Sequence, residues 1–282
     1  MTVKELNLLF EEELSSIYPK NEIKTFFFIV LEEFLNFQRI DSILRANDII
    51  NKEKQPVILS IIERLKHEEP IQYILGKTEF YGLPFNVNNK TLIPRPETEE
   101  LVEWIIEETK NIDTELNILD IGTGSGCIPI SLKVNIPKAI VTTIDVSNDA
   151  ITIAKQNAVL NNVEISFLNM DILNSKKLPG NHDIIVSNPP YVRNLEKGEM
   201  KNNVLNNEPH LALFVENDNP LIFYDKISKL ASAYLKKEGM LFFEINQYLS
   251  KETSSLIKNN GFQNISLKKD LFGNNRMIKA SF

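Results

Sequence analysis

Asn188-Pro189-Pro190-Tyr191 directly follows the apolar run Asp183-Ile184-Ile185-Val186-Ser187, which reads as a buried strand reaching the edge of a sheet. Two successive prolines have no N–H to give and cannot continue a sheet. Pro189 also biases Asn188 towards an extended backbone. The segment is therefore stiff. It holds a carboxamide, free carbonyls and an aromatic ring at a strand's carboxyl end, where open α/β sheets place their chemistry. A proline-rich turn without chemistry has the same local composition.

Three other strand ends carry polar groups. Asp120-Ile121-Gly122-Thr123-Gly124-Ser125-Gly126 is a glycine loop between a strand and a helix, a place where backbone approaches a ligand closely. The next strand ends Thr143-Ile144-Asp145, an acid about twenty positions beyond the loop and suited to ribose hydroxyls. The following one leads to Asn169-Met170-Asp171-Ile172. Each acid alone could be a helix cap or turn residue. On the loop and first acid alone, a nicotinamide dehydrogenase stays open. Loop, acid, acid and Asn-Pro-Pro-Tyr in succession point to one ligand cleft.

These ends need elements to position them. From residue 117 strands and helices alternate: strands over 117–121, 139–144, 164–168, 183–187 and 240–245, with helices over 128–134, 150–160, 221–235 and 250–260. Strands over 265–269 and 276–282 form a late hairpin. The pattern predicts an α/β fold with a doubly wound, mostly parallel sheet. The residues after Tyr191 are nearly used up in completing it. Residues 3 to about 68 read as an all-helical bundle. Its apolar stripes are Leu6, Phe10, Leu14 and Ile17; Ile23, Phe27, Val30 and Phe34; and Val57, Ile58, Ile61, Ile62 and Leu65. Between the two, Glu79 to Val87 and Thr91 to Ile93 flank Asn88-Asn89 as a β-hairpin linker. A helix opens at Pro96, with Leu101, Val102, Trp104 and Ile105 inward. The expected division is 1–75, a helical bundle; 76–95, the hairpin linker; and 96–282, the α/β domain.

The chain has 282 residues, is 43% hydrophobic and 24% charged, and carries a net charge of −7. That balance argues against avid, non-specific binding to nucleic acid, which relies on clusters of Lys and Arg. The longest strongly apolar run, Phe26 to Leu31, is too short to span a bilayer. A single cysteine, Cys127, fits a reducing cytoplasm, and it reads as a small buried residue. His67, His182 and His210 are scattered and suggest no metal site.

The four strand ends together resemble a class I methyltransferase that uses S-adenosylmethionine and releases S-adenosylhomocysteine. The resemblance implies a cofactor site built from Gly122, Thr123, Gly124, Ser125, Gly126, Asp145, Asp171, Ile172 and Asn188. Asp145 would take the ribose and Asp171 the adenine amine, with Ile172 beside the ring. The Asn-Pro-Pro-Tyr signature implies methylation of a nitrogen conjugated to a planar group. Such a nitrogen is a poor nucleophile. The Asn188 side-chain oxygen and the Pro189 carbonyl can each accept one of its hydrogens and aim its lone pair at the methyl. Tyr191 can pack on the flat group. Asn188, Pro189 and Tyr191 are thus the expected catalytic residues.

A narrower resemblance runs from about residue 70 to 282. It rests on Gln72 to Gly82, Ile93-Pro94-Arg95-Pro96-Glu97-Thr98-Glu99, Leu119 to Cys127, Ile185 to Val192, Glu208-Pro209, and Lys269-Asp270-Leu271-Phe272-Gly273 with Arg276. These are similar to the HemK/PrmC family, which methylates the glutamine of the Gly-Gly-Gln motif in peptide chain release factors. The resemblance implies release-factor docking by the helical domain. It also implies a substrate mouth of Asn188, Pro189, Pro190, Tyr191, Arg95 and Glu97, a monomer, and no nucleic-acid or membrane partner. The alternatives are a glutamine methyltransferase of a ribosomal protein, disfavoured by Pro94-Arg95-Pro96-Glu97, and a DNA adenine methyltransferase, disfavoured by the charge. A non-catalytic adaptor is disfavoured by the intact set Gly122, Asp145, Asp171 and Asn188. The chain departs from the family at Glu244-Ile245-Asn246-Gln247, where Glu-Ile-Gly is usual, and at Val215 to Pro220, a segment usually richer in glycine.

Overall fold

A computed structural model describes residues 1–282. The chain divides into two compact units, Met1–Leu75 with Asn202–Asn207, and Gly76–Lys201 with Glu208–Phe282.

The first unit contains α1 (Val3–Leu14), α2 (Lys20–Leu35), α3 (Asp41–Leu44), α4 (Gln55–Lys66) and α5 (Ile71–Leu75). Thr2 caps α1 by accepting from the Glu5 N–H at 3.2 Å, and the Glu5 carboxylate accepts from the Thr2 N–H at 2.8 Å. Leu6, Phe10, Leu14, Ile23, Phe27, Val30, Ile58, Ile61, Ile62 and Leu65 form one buried cluster. Three residues assigned to the apolar stripes are not in it: Phe34 is only partly buried and packs against it, and Ile17 and Val57 are 37% and 45% exposed. Ile17 lies past the end of α1, where helical spacing no longer applies. Val57 sits one residue, or 100° of helix rotation, from the buried Ile58. Residues 202–207, expected within the α/β domain, belong to this unit. The carboxamides of Asn202 and Asn207 donate to the carboxylate and carbonyl of Glu68, at 3.3 and 3.2 Å.

The second unit begins with the antiparallel pair β1 (Lys77–Phe80) and β2 (Leu83–Asn86). Its turn is Tyr81-Gly82, both at positive φ (52° and 70°), and not Asn88-Asn89. A two-residue hairpin turn of this kind requires positive φ at both positions, which Gly82 adopts without strain and neither Asn88 nor Asn89 adopts. Thr91 to Ile93 is accordingly not a strand. The Tyr81 N–H donates to Glu99 at 2.9 Å, tying the hairpin to α6 (Pro96–Thr109).

There follow, in chain order, β3 (Asn117–Ile121), α7 (Cys127–Asn135), β4 (Ile140–Asp145), α8 (Asn148–Leu160), β5 (Ser166–Asn169), β6 (His182–Ser187), β7 (Val192–Arg193), α9 (Asn202–Asn207, part of the first unit), α10 (His210–Leu213), β8 (Phe214–Val215), α11 (Ile222–Tyr234), β9 (Leu235–Glu244), α12 (Ser250–Asn259), β10 (Asn264–Lys269) and β11 (Asn275–Ser281). The main sheet has the order β10-β11-β9-β6-β3-β4-β5. The five strands from β9 to β5 are parallel, while β11 and β10 join as an antiparallel hairpin. Side chains alternate between two cores. Ile118, Ile184 and Phe242 pack with α6 and α7, and Leu119, Ile185 and Phe243 with α11 and α12. Residues 192–215 do not go directly into the sheet. β7 and β8 pair in parallel as a separate two-stranded element. No helix is long and apolar enough to cross a membrane.

Candidate active site

The parallel register puts the ends of β3, β4 and β6 in line, with Ile121 opposite both Ile144 and Ser187. The chain winds to one side of β3 for β4 and β5 and to the other for β6 and β9, so β3 flanks the switch point where doubly wound sheets bind ligands. A cavity of about 410 Å³ opens there, within the range of cofactor-sized sites. Its lining brings together Gly122, Thr123, Gly124, Ser125, Asp145, Asp171, Ile172, Asn188, Pro189, Pro190 and Arg95.

Gly122, Gly124 and Gly126 all have positive φ. They serve different ends. A Cβ on Gly122 would stand 3.8 Å from the Asn188 carbonyl, so the loop passes close under the Asn-Pro-Pro segment. A Cβ on Gly126 would meet Ile130 at 2.9 Å and Ala154 at 3.1 Å. Gly126, expected at the cofactor, is instead the residue that lets α7 and α8 close up, and it does not line the cavity.

Asp145 accepts the Gly124 N–H at 2.9 Å and the Ser147 N–H at 2.8 Å, which fixes the carboxylate against the loop. Burial raises its pKa, opposed by those two N–H groups. Asp171 accepts from the Leu173 N–H at 2.9 Å and the Asn174 carboxamide at 2.6 Å, and Ile172 is buried beside it. Beneath the loop lies a polar group that sequence patterning did not single out. Asp120 is fully buried, accepts from the Thr143 hydroxyl at 2.6 Å, and has one carboxylate oxygen with no partner. Burial pushes its pKa up to about 7. Thr143 and Thr123 share a further hydroxyl contact that extends this network to the cavity wall.

At the end of β6, the Asn188 carboxamide nitrogen donates to Glu244 at 3.0 Å and to the Thr98 hydroxyl at 3.3 Å. Its oxygen is left as the side chain's acceptor. Glu244, at the end of β9, also accepts from Thr98 at 2.6 Å and from the Tyr191 hydroxyl at 2.9 Å. Tyr191, expected to pack on the substrate's flat group, is held at its hydroxyl by that bond. It does not line the cavity, and its hydroxyl is engaged with Glu244. Burial and the Glu244 charge hold the Tyr191 pKa well above the usual phenol value. Burial raises the Glu244 pKa as well, opposed by the Thr98 and Tyr191 hydroxyls and the Arg276 charge.

At the rim, Arg95 pairs with Glu208 at 2.6 Å, and the Ile93 N–H donates to the same carboxylate at 3.3 Å. Glu97 does not line the cavity. Asn246, where glycine is usual, donates to the Tyr191 carbonyl at 3.0 Å and to Glu196 at 3.0 Å. Glu244, Thr98, Glu208 and Asp120 thus belong to the site without having been assigned to it from the sequence. One available signal was a lone carboxylate closing the apolar run Met240-Leu241-Phe242-Phe243.

Two family models match the chain: a "Methyltransferase small domain" over residues 98–211 and a "PrmC N-terminal domain" over residues 12–76. A release factor glutamine methyltransferase of Flavobacterium psychrophilum is 53% identical over 284 residues, with 100% of this chain and 100% of the relative covered. Another of that name, from Bacteroides thetaiotaomicron, is 42% identical over 96% of each chain. Among solved structures, a methyltransferase from Pyrococcus furiosus shares the fold at a TM-score of 0.52. It is 18% identical, with 82% of this chain and 98% of that one covered.

Proposed function

The chain belongs to the release factor glutamine methyltransferase family, and on that premise we propose that it methylates the side-chain nitrogen of the glutamine in the Gly-Gly-Gln motif of release factors. The observation that carries this reading is a shared wall: Asn188 and Pro189 line the same cavity as the glycine loop and Asp145. Electrophile and nucleophile can therefore meet in one space.

The residues present fit S-adenosylmethionine. A carboxylate is fixed at the end of β4, the glycine loop passes beneath the Asn188 carbonyl, and Ile144, Val146 and Ile172 supply apolar wall. Asp145 would hold the ribose, and Asp171 with Ile172 the adenine. When bound, the cofactor supplies an electrophilic methyl on sulfur.

The chain's own part is positioning. An amide nitrogen shares its lone pair with its carbonyl, so it must be oriented and its developing positive charge supported. The Asn188 side-chain oxygen and the Pro189 carbonyl would each accept one N–H of the substrate's NH₂ group. Methyl transfer would form a nitrogen–carbon bond as the sulfur–carbon bond breaks, and one N–H proton would leave to solvent. No side chain need act as a strong base, because an N-protonated amide is very acidic. The same reading makes the protein a monomeric cytoplasmic enzyme that engages neither nucleic acid nor membrane.

Purified protein, methyl-labelled cofactor and three parallel acceptors (a release factor, ribosomal proteins and DNA) test it. Label in the release factor alone, lost when its Gly-Gly-Gln glutamine is made glutamate, is the expected outcome. Label in DNA or a ribosomal protein, with none in the release factor, contradicts it.

A further inference from the structure

Asn188 can act on an N–H group only if its carboxamide faces the cavity oxygen-first. The two ends of a carboxamide are nearly equal in shape, so packing alone does not choose between them. The chemistry of the neighbours does. Glu244 is 1% exposed, and three donors converge on it: the Asn188 carboxamide, the Thr98 hydroxyl and the Tyr191 hydroxyl, at 3.0, 2.6 and 2.9 Å. The Thr98 hydroxyl donates to one Glu244 oxygen and the Tyr191 hydroxyl to the other, so both oxygens stand as acceptors. If Asn188 were flipped, its oxygen would face the Glu244 oxygens with no proton between them. Thr98 reinforces the choice, because its proton goes to Glu244 and its lone pairs remain to accept from Asn188 at 3.3 Å.

Glu244 also sits where it can be held. It ends β9, and the antiparallel register sets it opposite Met277, the neighbour of Arg276. Arg276 pairs with Asp270 at 3.1 Å and adds a positive charge to the surroundings of Glu244. Two residues along, Asn246 grips the Tyr191 carbonyl at 3.0 Å while Glu244 takes the Tyr191 hydroxyl. The end of one strand thus fastens both the head and the tail of the Asn-Pro-Pro-Tyr segment.

We propose that Glu244 is the positioning residue of the reaction: it fixes the Asn188 carboxamide nitrogen inward, so that the oxygen is presented to the substrate's N–H. This rests on the methyl-transfer reading above and adds to it a residue that touches neither cofactor nor substrate. It acts through Asn188.

The test is a double-mutant cycle on the full-length protein, read as kcat, KM for release factor and cofactor affinity by calorimetry. Glu244→Ala is expected to lower kcat by about 10²-fold and to change cofactor affinity by less than about threefold. Glu244→Gln keeps an acceptor oxygen for Asn188 and is expected to stay within about tenfold of wild type. It also keeps the question answerable if the alanine variant does not fold. Added to Asn188→Ala, either substitution should slow the enzyme by less than about threefold more, because the group it positions is already gone. Multiplicative losses in the double variant, Glu244→Gln as slow as Glu244→Ala, or cofactor affinity falling in step with kcat would each overturn the role. Wild-type protein that labels no release factor would instead defeat the functional reading, and the inference with it.

Discussion

Arg95 and Glu208, 113 positions apart, meet at 2.6 Å on the cavity rim, and the Glu208 side chain is almost completely buried. The pair joins the segment leading into α6 to the one that precedes α10, and the Ile93 N–H bonds the same carboxylate. Removing only the cation strands a buried charge. Arg95→Ala is therefore expected to destabilise the protein by about 2–4 kcal/mol, more than the paired change Arg95→Met with Glu208→Leu. Chemical denaturation of the three proteins checks it. The single variant should also raise KM for release factor more than it lowers kcat, since the rim and not the reacting nitrogen is disturbed.

On the proposed reading, Asn188→Ala removes one of the two acceptors for the substrate amide and leaves the bonds that fix Asp145 in place. A loss of about 3–4 kcal/mol in transition-state stabilisation is expected, with cofactor affinity nearly unchanged. Single-turnover methyl transfer beside calorimetric titration of S-adenosylhomocysteine separates the two quantities. Equal losses in both would show that Asn188 serves the cofactor.

The glycines of the loop should not respond alike to alanine. At Gly126 a Cβ would stand 2.9 Å from Ile130 and 3.1 Å from Ala154, at φ 84°. At Gly124 nothing lies within 4 Å of the added atom. Gly126→Ala is expected to cost about 3 kcal/mol of stability and Gly124→Ala about 1–2 kcal/mol, the backbone strain alone. Thermal melts of the two variants distinguish these outcomes.

Burial pushes the Asp120 pKa up to about 7. A carboxyl whose pKa is higher in the folded than in the unfolded chain binds its proton more tightly when folded. Its contribution is fully present below the unfolded value and is lost as pH rises through the folded one. Wild type should therefore lose stability relative to Asp120→Asn between about pH 4 and pH 7, by at most ~4 kcal/mol, and the difference should level off above that. Denaturation curves at several pH values, run on both proteins, give this difference. Parallel curves would show that Asp120 is ionised in the fold.

The main architecture was legible because its signals are local. Ile118-Leu119, Ile184-Ile185 and Phe242-Phe243 are short apolar runs at strand positions, and each divides between the two cores. The glycine loop, Asp145 and Asn188 were legible because chain order places them at successive strand ends. The hairpin turn was misplaced because Asn-Asn is a frequent turn pair, whereas φ at Tyr81 and Gly82 is a property of the folded backbone. The partners of Asn188 were not legible for another reason. Thr98 and Glu244 lie 90 and 56 positions away, and only the sheet register and the packing of α6 bring them to one point. The ring-packing role of Tyr191 follows from its residue type, whereas its hydroxyl's bond to Glu244, 53 positions away, is visible only in the fold.

A crystal structure of the protein with S-adenosylhomocysteine and a peptide carrying Gly-Gly-Gln is the most direct measurement. The account predicts the glutamine nitrogen within about 2.8–3.1 Å of both the Asn188 side-chain oxygen and the Pro189 carbonyl, on the side of the cavity facing the cofactor's sulfur. A glutamine held elsewhere, or an Asn188 carboxamide donating to the glutamine carbonyl, would contradict it.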